Sequence, residues 1–367
     1  MKIAIFHNYM DNIGGAEMVT LALAHALKAD VYSCAANHEK IKKMGFDIAV
    51  KLISPIATKP PFRQQMSARA FAKLDLNKQY DRYIISGDWA VGGLVHNKPN
   101  LWYAHGPKRE LWDMYEYTRS NIVPDGKYFK NLHRYIFDMW VRYNRYLDRR
   151  YVAHADQIVC NSKTVQARIK KYYQRDATVI YPPTDVKKYH HAPAGDYWLA
   201  VNRTSPAKRI EIQTEAFARM PDKKLLIVAS YEDTEVFQKY RTHINDTKPE
   251  NVTLLDHVSQ AELIELYANC RGFITTAREE DFGLTAIEAM AAGKPVIAPN
   301  EGGYRESVVH TETGILIDDI DAQKVVAAVE TIEQDTEKYV QASTKRAELF
   351  STERFIAGIK KQIGYDK

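Results

Sequence analysis

Glu280 and Glu288 stand eight residues apart on either side of Phe282-Gly283-Leu284. The apolar run before them, Gly272 to Thr276, reads as a strand. The run after Gly283, Leu284 to Ala292, reads as a helix that returns through Gly293-Lys294-Pro295 into another strand. A helix therefore opens at the carboxyl end of a parallel strand, the position where sheets of this kind bind ligands. The N–H groups of Phe282, Gly283 and Leu284 suit a diphosphate there, and Gly283 lets the backbone come close to it. The spacing places both carboxylates around one mouth. On their own chemistry Glu280 is equally an acid favoured by the helix dipole, and Glu288 an ordinary solvated helix residue.

Other candidates lie in comparable loops. Arg203 and Lys208 fall in Asn202-Arg203-Thr204-Ser205-Pro206-Ala207-Lys208, between a strand and a helix. Arg as a planar fork and Lys as a point charge fit a diphosphate, although two surface cations on a loop would look the same. Gly14-Gly15 ends a loop after the first strand and opens a helix, as a phosphate-contacting turn does; it matches neither GxGxxG nor a Walker loop. His105 follows a strand and begins His105-Gly106-Pro107-Lys108-Arg109, where a structural hydrogen-bonding role competes with a catalytic one. Asp319-Ile320-Asp321 is a DxD string that could hold a divalent metal. Asp321 directly precedes a helical stretch, however, so an N-cap is the expected role and no metal site is assigned.

These loops need a scaffold, and the rest of the sequence describes one. Strand-length apolar stretches alternate with helical-period segments throughout, the form of an α/β protein with parallel sheets. The first half reads as strands at Lys2 to Phe6, Ala29 to Ser33, Arg82 to Ser86, Leu101 to His105, Gln157 to Cys160 and Thr178 to Tyr181, with Ser162 capping a helix that runs to Tyr173. Pro182-Pro183 breaks the pattern. A second series starts at Tyr197, with strands at Trp198 to Asn202, Leu225 to Ala229, Val252 to Leu255, Gly272 to Thr276, Pro295 to Ala298 and Gly314 to Ile317. Two doubly wound units result: residues 1–185, onto which a helix at about 352–367 packs back, and residues 186–351.

The 367 residues exceed what a disulfide- or metal-stapled module needs, and 45% hydrophobic with 26% charged residues excludes disorder. The net charge of +5 divides unevenly: residues 1–195 carry 30 Lys and Arg against 17 Asp and Glu, and residues 196–367 carry 21 against 29. A basic half suggests phosphate, an anionic membrane or nucleic acid as partner. Cys34, Cys160 and Cys270 have no metal or disulfide spacing, which fits a reducing compartment. No secretory pattern follows Met1-Lys2, and no uncharged apolar run approaches the roughly 18 residues of a membrane span. The segment Lys127 to Tyr151 mixes aromatics with cations and is expected to pack its aromatics inward. The stretches Lys40 to Lys51 and Lys59 to Arg82, with Phe62, Met66 and Phe71, are the expected membrane-facing surfaces.

Glu280-x₇-Glu288 within EDFGLTAIEAMAAGKPVIA resembles the signature of the retaining GT-B glycosyltransferases of family four, the glycosyl transferases group 1. Gly14-Gly15-Ala16-Glu17, Asn161-Ser162, Tyr181-Pro182-Pro183-Thr184-Asp185, Arg203 with Lys208, and Gly302-Gly303 follow the family's order along nearly the whole chain. The resemblance implies two Rossmann-like domains facing across a cleft, with acceptor bound by the first and a nucleoside diphosphate sugar by the second. It implies that Arg203, Lys208 and the backbone at Phe282, Gly283 and Leu284 stabilise the leaving diphosphate. Glu288 would bind the ribose, Glu280 the hexose hydroxyls, and the loop at Gly14 and Gly15 would close over the phosphates. His105 would support the transferred sugar, and transfer would need no metal. Arg209 stands where the family has glycine, and Lys208-Arg209 with His105-x-Pro107-x-Arg109 resembles a mannosyltransferase subgroup using GDP-mannose rather than UDP-sugars. The expected protein is a cytoplasmic hexosyltransferase, possible at the inner face of an anionic membrane, acting on a glycan or lipid-linked acceptor with no nucleic acid partner. A nucleotide-sugar epimerase or sugar phosphorylase on the same fold, or a basic membrane- or nucleic-acid-binding scaffold, are the competing readings.

Overall fold

The computed structural model describes residues 1–121, 130–230, 235–256 and 258–365; residues 127–129 of the aromatic segment and 366–367 of the last helix lie outside these. The chain divides into two compact units, Met1–Tyr181 with Ile356–Lys367, and Pro182–Phe355. The first holds β1 (Ile3–Phe6), α1 (Gly15–Leu27), β2 (Asp30–Ser33), α2 (His38–Lys43), β3 (Val50–Leu52), α3 (Phe62–Lys73), β4 (Arg82–Ile85), β5 (Asn100–Ala104), α4 (Tyr115–Ser120), α5 (Lys130–Val152), β6 (Gln157–Cys160), α6 (Lys163–Tyr173) and β7 (Thr178–Val179). The second holds β8 (Tyr197–Arg203), α7 (Ile210–Ala218), β9 (Lys224–Ser230), α8 (Glu235–Thr247), β10 (Val252–Leu255), α9 (Gln260–Asn269), β11 (Phe273–Ile274), α10 (Leu284–Ala291), β12 (Val296–Pro299), α11 (Tyr304–Ser307), β13 (Gly314–Ile317), α12 (Ala322–Glu333) and α13 (Val340–Ala347). The closing helix α14 (Thr352–Ile363) starts in the second unit and ends in the first, where Arg82 Nε donates to the Ile363 carbonyl at 3.1 Å.

Both sheets are wholly parallel, ordered β3-β2-β1-β4-β5-β6-β7 and β10-β9-β8-β11-β12-β13. In each, the strand order reverses beside the first strand, between β1 and β4 and between β8 and β11. Such a reversal parts the flanking loops and leaves a crevice at the carboxyl ends of the strands. The loops after β1 and β4 carry Gly14 and Ser86, and those after β8 and β11 carry Lys208 and Glu280. Each sheet has its own apolar core, around Phe6, Phe71, Tyr83 and Trp102 in the first unit and around Trp198, Phe217, Ile227 and Val329 in the second.

Local signals set most helix starts. Ser162 Oγ accepts from the Val165 N–H at 3.0 Å, and Ser259 with Glu262 forms a reciprocal capping box. Asp321 accepts from the Lys324 N–H at 2.8 Å and caps α12, which gives the second aspartate of the DxD string its place.

Two surface expectations are corrected. Phe71 belongs to the core at 0% exposure, whereas Phe62 of the same helix is 68% exposed. On α5 the reverse of inward packing holds for six apolar side chains: Leu132, Tyr135, Ile136, Met139, Tyr143 and Tyr146 are all exposed. The inward face of α5 is instead made by Phe137, Trp140 and Val141, packed with Leu111 and Trp112.

Candidate active site

The second unit brings a cation and an acid of the candidate set together. Lys208 ends a short 3₁₀ turn after β8, and its Nζ lies 2.6 Å from Glu280 Oε2. The loops bearing them are fastened backbone to backbone. The Arg278 N–H donates to the Ala207 carbonyl at 2.8 Å, and the Thr276 hydroxyl faces the carbonyls of Lys208 at 2.7 Å and Arg209 at 3.0 Å. Gln213 Nε2 donates to that same hydroxyl at 2.8 Å. Thr275 and Thr276, expected as the end of a strand, lie just past β11: the Thr275 N–H still donates to the Ile297 carbonyl of β12 at 2.9 Å, and Thr276 holds these loops.

Arg209 occupies a backbone position that favours glycine. Its backbone is left-handed, with φ of 49°, a region that costs a side-chain-bearing residue on the order of 1 kcal/mol. Its guanidinium straps the loops in return: Nε donates to the Thr276 carbonyl at 2.5 Å, the fork reaches the Ala277 carbonyl, and it pairs with Glu301.

The Glu280 loop rests on a second glycine pair. The Gly303 N–H donates to the Glu280 carbonyl at 2.7 Å. A Cβ on Gly302, where φ is 58°, would stand 2.8 Å from the Glu280 nitrogen, and one on Gly303 would stand 2.6 Å from the Asp281 carbonyl oxygen. Only glycines allow backbone to lie on backbone so closely. Gly283 caps α10 in the left-handed conformation, φ 88°, beneath the Tyr304 ring, whose hydroxyl meets Thr275 Oγ1 at 2.8 Å. Phe282 is buried edge-on against Phe350, centroids 5.2 Å apart, so its contribution at the site is its backbone. Leu284 is the first residue of α10. Arg203 closes β8 with an exposed side chain.

Glu288 is not a solvated helix residue. Tyr267 OH donates to its Oε2 at 2.8 Å and Tyr189 also faces it. Burial pushes the carboxyl up to about 7 against the opposing effect of those two hydroxyls.

In the first unit Gly14 is the N-cap of α1 and Gly15 its first residue, both exposed. The Gly14 N–H donates to Glu17 Oε2 at 2.9 Å, and Glu17 Oε1 lies 3.1 Å from His7 Nε2. His105 follows β5 at the neighbouring strand end. Its Nε2 is 2.9 Å from Ser86 Oγ, and its carbonyl accepts from Asn161 Nδ2 at 2.8 Å. Burial, then the nearby His7, lower the His105 ring to about 3, with Glu17 opposing them, so it is neutral at ordinary pH.

The residues that follow His105 are framework. Lys108 pairs with Asp148 in the interior, and Asp148 also accepts from Trp112 Nε1 at 2.8 Å and Tyr173 OH at 2.6 Å. Arg109 Nε donates to Asp113 at 3.0 Å, so Arg109 and Asp113 brace the loop. Sequence reasoning singled out none of Thr276, Tyr304, Tyr267, His7, Thr20 and Ser86, because isolated polar or aromatic residues carry no spacing signal. Among the described residues no cluster of three or more His, Cys, Asp or Glu could hold a metal ion, and no helix is long and apolar enough to cross a membrane.

Comparison with known proteins covers both units. The profile of the glycosyl transferases group 1 matches residues 183–348, and that of glycosyltransferase family 4 matches residues 13–188. The alpha-1,3/1,6-mannosyltransferase ALG2 of Candida glabrata is 27% identical over 331 residues, 73% of this chain and 68% of that protein. The GDP-Man:Man(3)GlcNAc(2)-PP-Dol alpha-1,2-mannosyltransferase of Dictyostelium discoideum is 28% identical over 211 residues, 51% of this chain and 41% of that protein. The chain thus spans between 41% and 68% of the length of such curated relatives. Among solved structures, Anabaena HepE in complex with UDP and glucose superposes with a TM-score of 0.75 at 19% identity over 99% of both chains.

Proposed function

The chain belongs to the group 1 and family 4 glycosyltransferases, and from that membership we propose that it is a retaining, metal-independent mannosyltransferase using GDP-mannose. The acceptor is a glycan or lipid-linked glycan. The observation that carries this reading is the Lys208–Glu280 pair, set in the crevice beside β8 and fixed from both sides by backbone hydrogen bonds. A lysine and a carboxylate within one hydrogen bond suit a ligand that presents a phosphate next to sugar hydroxyls. The mannosyltransferase relatives, the Dictyostelium one named for a GDP-mannose donor, support mannose over glucose, and Lys208-Arg209 agrees with that subgroup.

In the proposed reaction the bond between the sugar C1 and the β-phosphate oxygen breaks. An acceptor oxygen bonds to C1 on the same face, and its proton passes to the departing phosphate. Arg203, Lys208 and the first turn of α10 at Phe282, Gly283 and Leu284 offset the charge growing on the diphosphate, and Gly14 and Gly15 close over it. Glu280 orients the hexose hydroxyls, Glu288 accepts from the ribose diol, and His105 supports the transferred sugar. Cationic side chains and backbone dipoles do the electrostatic work a divalent ion does elsewhere.

Product analysis tests the reading. Incubation with GDP-α-mannose and a mannosylated acceptor is expected to release GDP stoichiometrically with an α-linked product. A β-linked product, a free epimerised nucleotide sugar or release of mannose 1-phosphate would overturn it.

The exposed face of α5 supports peripheral attachment to an anionic bilayer, at the inner face of a membrane. Its aromatic and aliphatic side chains are interspersed with exposed Arg142, Arg149 and Arg150, an arrangement suited to the headgroup boundary.

A further inference from the structure

The first unit contains a chain of side-chain contacts that ends at His105. Thr20 Oγ1 lies 2.9 Å from the Ala16 carbonyl, 3.2 Å from His7 Nδ1 and 2.7 Å from Ser86 Oγ, and Ser86 Oγ lies 2.9 Å from His105 Nε2. All of these side chains except His105 are at least nine-tenths buried, at 2% exposure for His7, 0% for Thr20 and 1% for Ser86. Buried polar atoms at such distances must be matched donor to acceptor, because a misdirected hydroxyl proton leaves two lone pairs opposed.

The contacts around Thr20 allow only one direction of donation along Thr20, Ser86 and His105. The Ala16 carbonyl can only accept the Thr20 proton. His7 already directs Nε2–H at Glu17 Oε1, 3.1 Å away, so its Nδ1 is a second acceptor for that proton; with the proton on either one, Thr20 has only lone pairs for Ser86, which must donate to it. Ser86, having given its proton to Thr20, has only lone pairs for His105, so His105 Nε2 carries the proton and donates.

We propose that Thr20 and Ser86 are positioning residues that hold His105 in the Nε2–H form, leaving Nδ1 as a lone pair for a substrate hydroxyl. Among the described residues Nδ1 has no hydrogen-bond partner, and His105 itself is partly exposed. His105 therefore accepts a proton-bearing hydroxyl and does not act as a general acid toward the leaving phosphate. The significance for turnover rests on the reading that His105 meets the transferred sugar; the proton placement does not.

The test is nitrogen-detected NMR of ¹⁵N-histidine-labelled, unliganded full chain, with the His105 signals identified by their loss in His105→Gln. The expected spectrum has a protonated Nε2 and an unprotonated Nδ1. Thr20→Val removes the acceptor of the Ser86 proton, frees Ser86 to donate, and is expected to shift His105 toward the Nδ1–H form. Thr20→Ser, which keeps the hydroxyl, restores the original signature and guards against a folding artefact. In Ser86→Ala, kcat is expected to fall about tenfold with the donor KM within about twofold, as for a group acting on the transition state alone. A wild-type His105 protonated at Nδ1, or one indifferent to both Thr20→Val and Ser86→Ala, would overturn the proposal. An intact Nε2–H signature together with full activity in His105→Gln would instead sink the role of His105 in transfer and leave the proton placement standing.

Discussion

Lys208 Nζ lies 2.6 Å from Glu280 Oε2, and neither residue reaches the other by side-chain freedom alone. The Lys208 carbonyl faces the Thr276 hydroxyl at 2.7 Å, and the Glu280 carbonyl accepts from the Gly303 N–H at 2.7 Å. The pair is a geometric product of two loops diverging from β8 and β11. Without donor the ammonium is neutralised by the carboxylate. On the proposed reading a diphosphate takes over the ammonium, and the released carboxylate turns to the sugar.

Lys208→Ala is therefore expected to lower kcat/KM by about 10²- to 10³-fold, the usual cost of losing one transition-state charge contact. Glu280→Gln, which keeps shape and loses charge, should raise the donor KM and lower kcat while leaving the fold intact by circular dichroism. Steady-state kinetics on both variants checks this, and wild-type constants in either would remove that residue from the site.

The carboxyl of Glu288 gives donor affinity a pH dependence with a definite sign. Burial raises it from 4.5 to about 7, so the free protein holds it protonated below that pH, while a ribose diol needs the ionised acceptor. Nucleotide affinity should rise as pH increases through about 7, and Glu288→Gln should flatten the profile. The stability linkage runs the other way: the raised carboxyl's contribution is complete below about 4.5 and is lost as pH climbs through about 7. Titrations of nucleotide binding and thermal melts at matched pH separate the two.

Gly302→Ala should destabilise the second unit by about 1–3 kcal/mol and abolish donor binding, since its Cβ meets the Glu280 backbone and its φ is left-handed. Gly45 is the control. Its φ is 86° but nothing lies within 4 Å of a Cβ there. Gly45→Ala should cost only the backbone strain of about 1 kcal/mol and leave donor binding unchanged. Equal effects of the two substitutions on nucleotide affinity would contradict this account of Gly302.

Replacing Tyr135, Ile136 and Met139 together by serine should weaken sedimentation with anionic vesicles at least tenfold without altering the melting temperature, because all three side chains already face solvent. Binding should also fall with salt, each basic residue near the surface contributing about 1 kcal/mol at low ionic strength. Unchanged vesicle binding in the triple variant would move the contact elsewhere.

The elements that position the site were largely readable from pattern. β10 and β13 run from Val252 to Leu255 and Gly314 to Ile317 as the apolar runs suggested, and α9 spans Gln260–Asn269 behind its Ser259 cap. The strand expected from Gly272 to Thr276 shortens to Phe273–Ile274; the Thr275 N–H still pairs with the Ile297 carbonyl, while the Thr276 hydroxyl turns to the loop after β8. β3 escaped notice since only Val50 of its three residues is buried. On α5 the apolar residues form two stripes, Phe137-Trp140-Val141 and Tyr135-Ile136-Met139-Tyr143, and periodicity alone does not say which one meets the core. Thr20 and Ser86 are 66 positions apart in sequence and become neighbours only through the parallel pairing of β1 with β4.

Calorimetric titration of GDP-mannose into the wild-type chain, Lys208→Ala and Glu288→Gln tests the central claim most directly, because it needs no knowledge of the acceptor. The expected result is saturable one-to-one binding to the wild type, weakened at least about tenfold in each variant, a loss of about 1.4 kcal/mol or more. Absence of binding to the wild type, or equal affinity in all three proteins, would contradict the assignment of the second unit as the donor site.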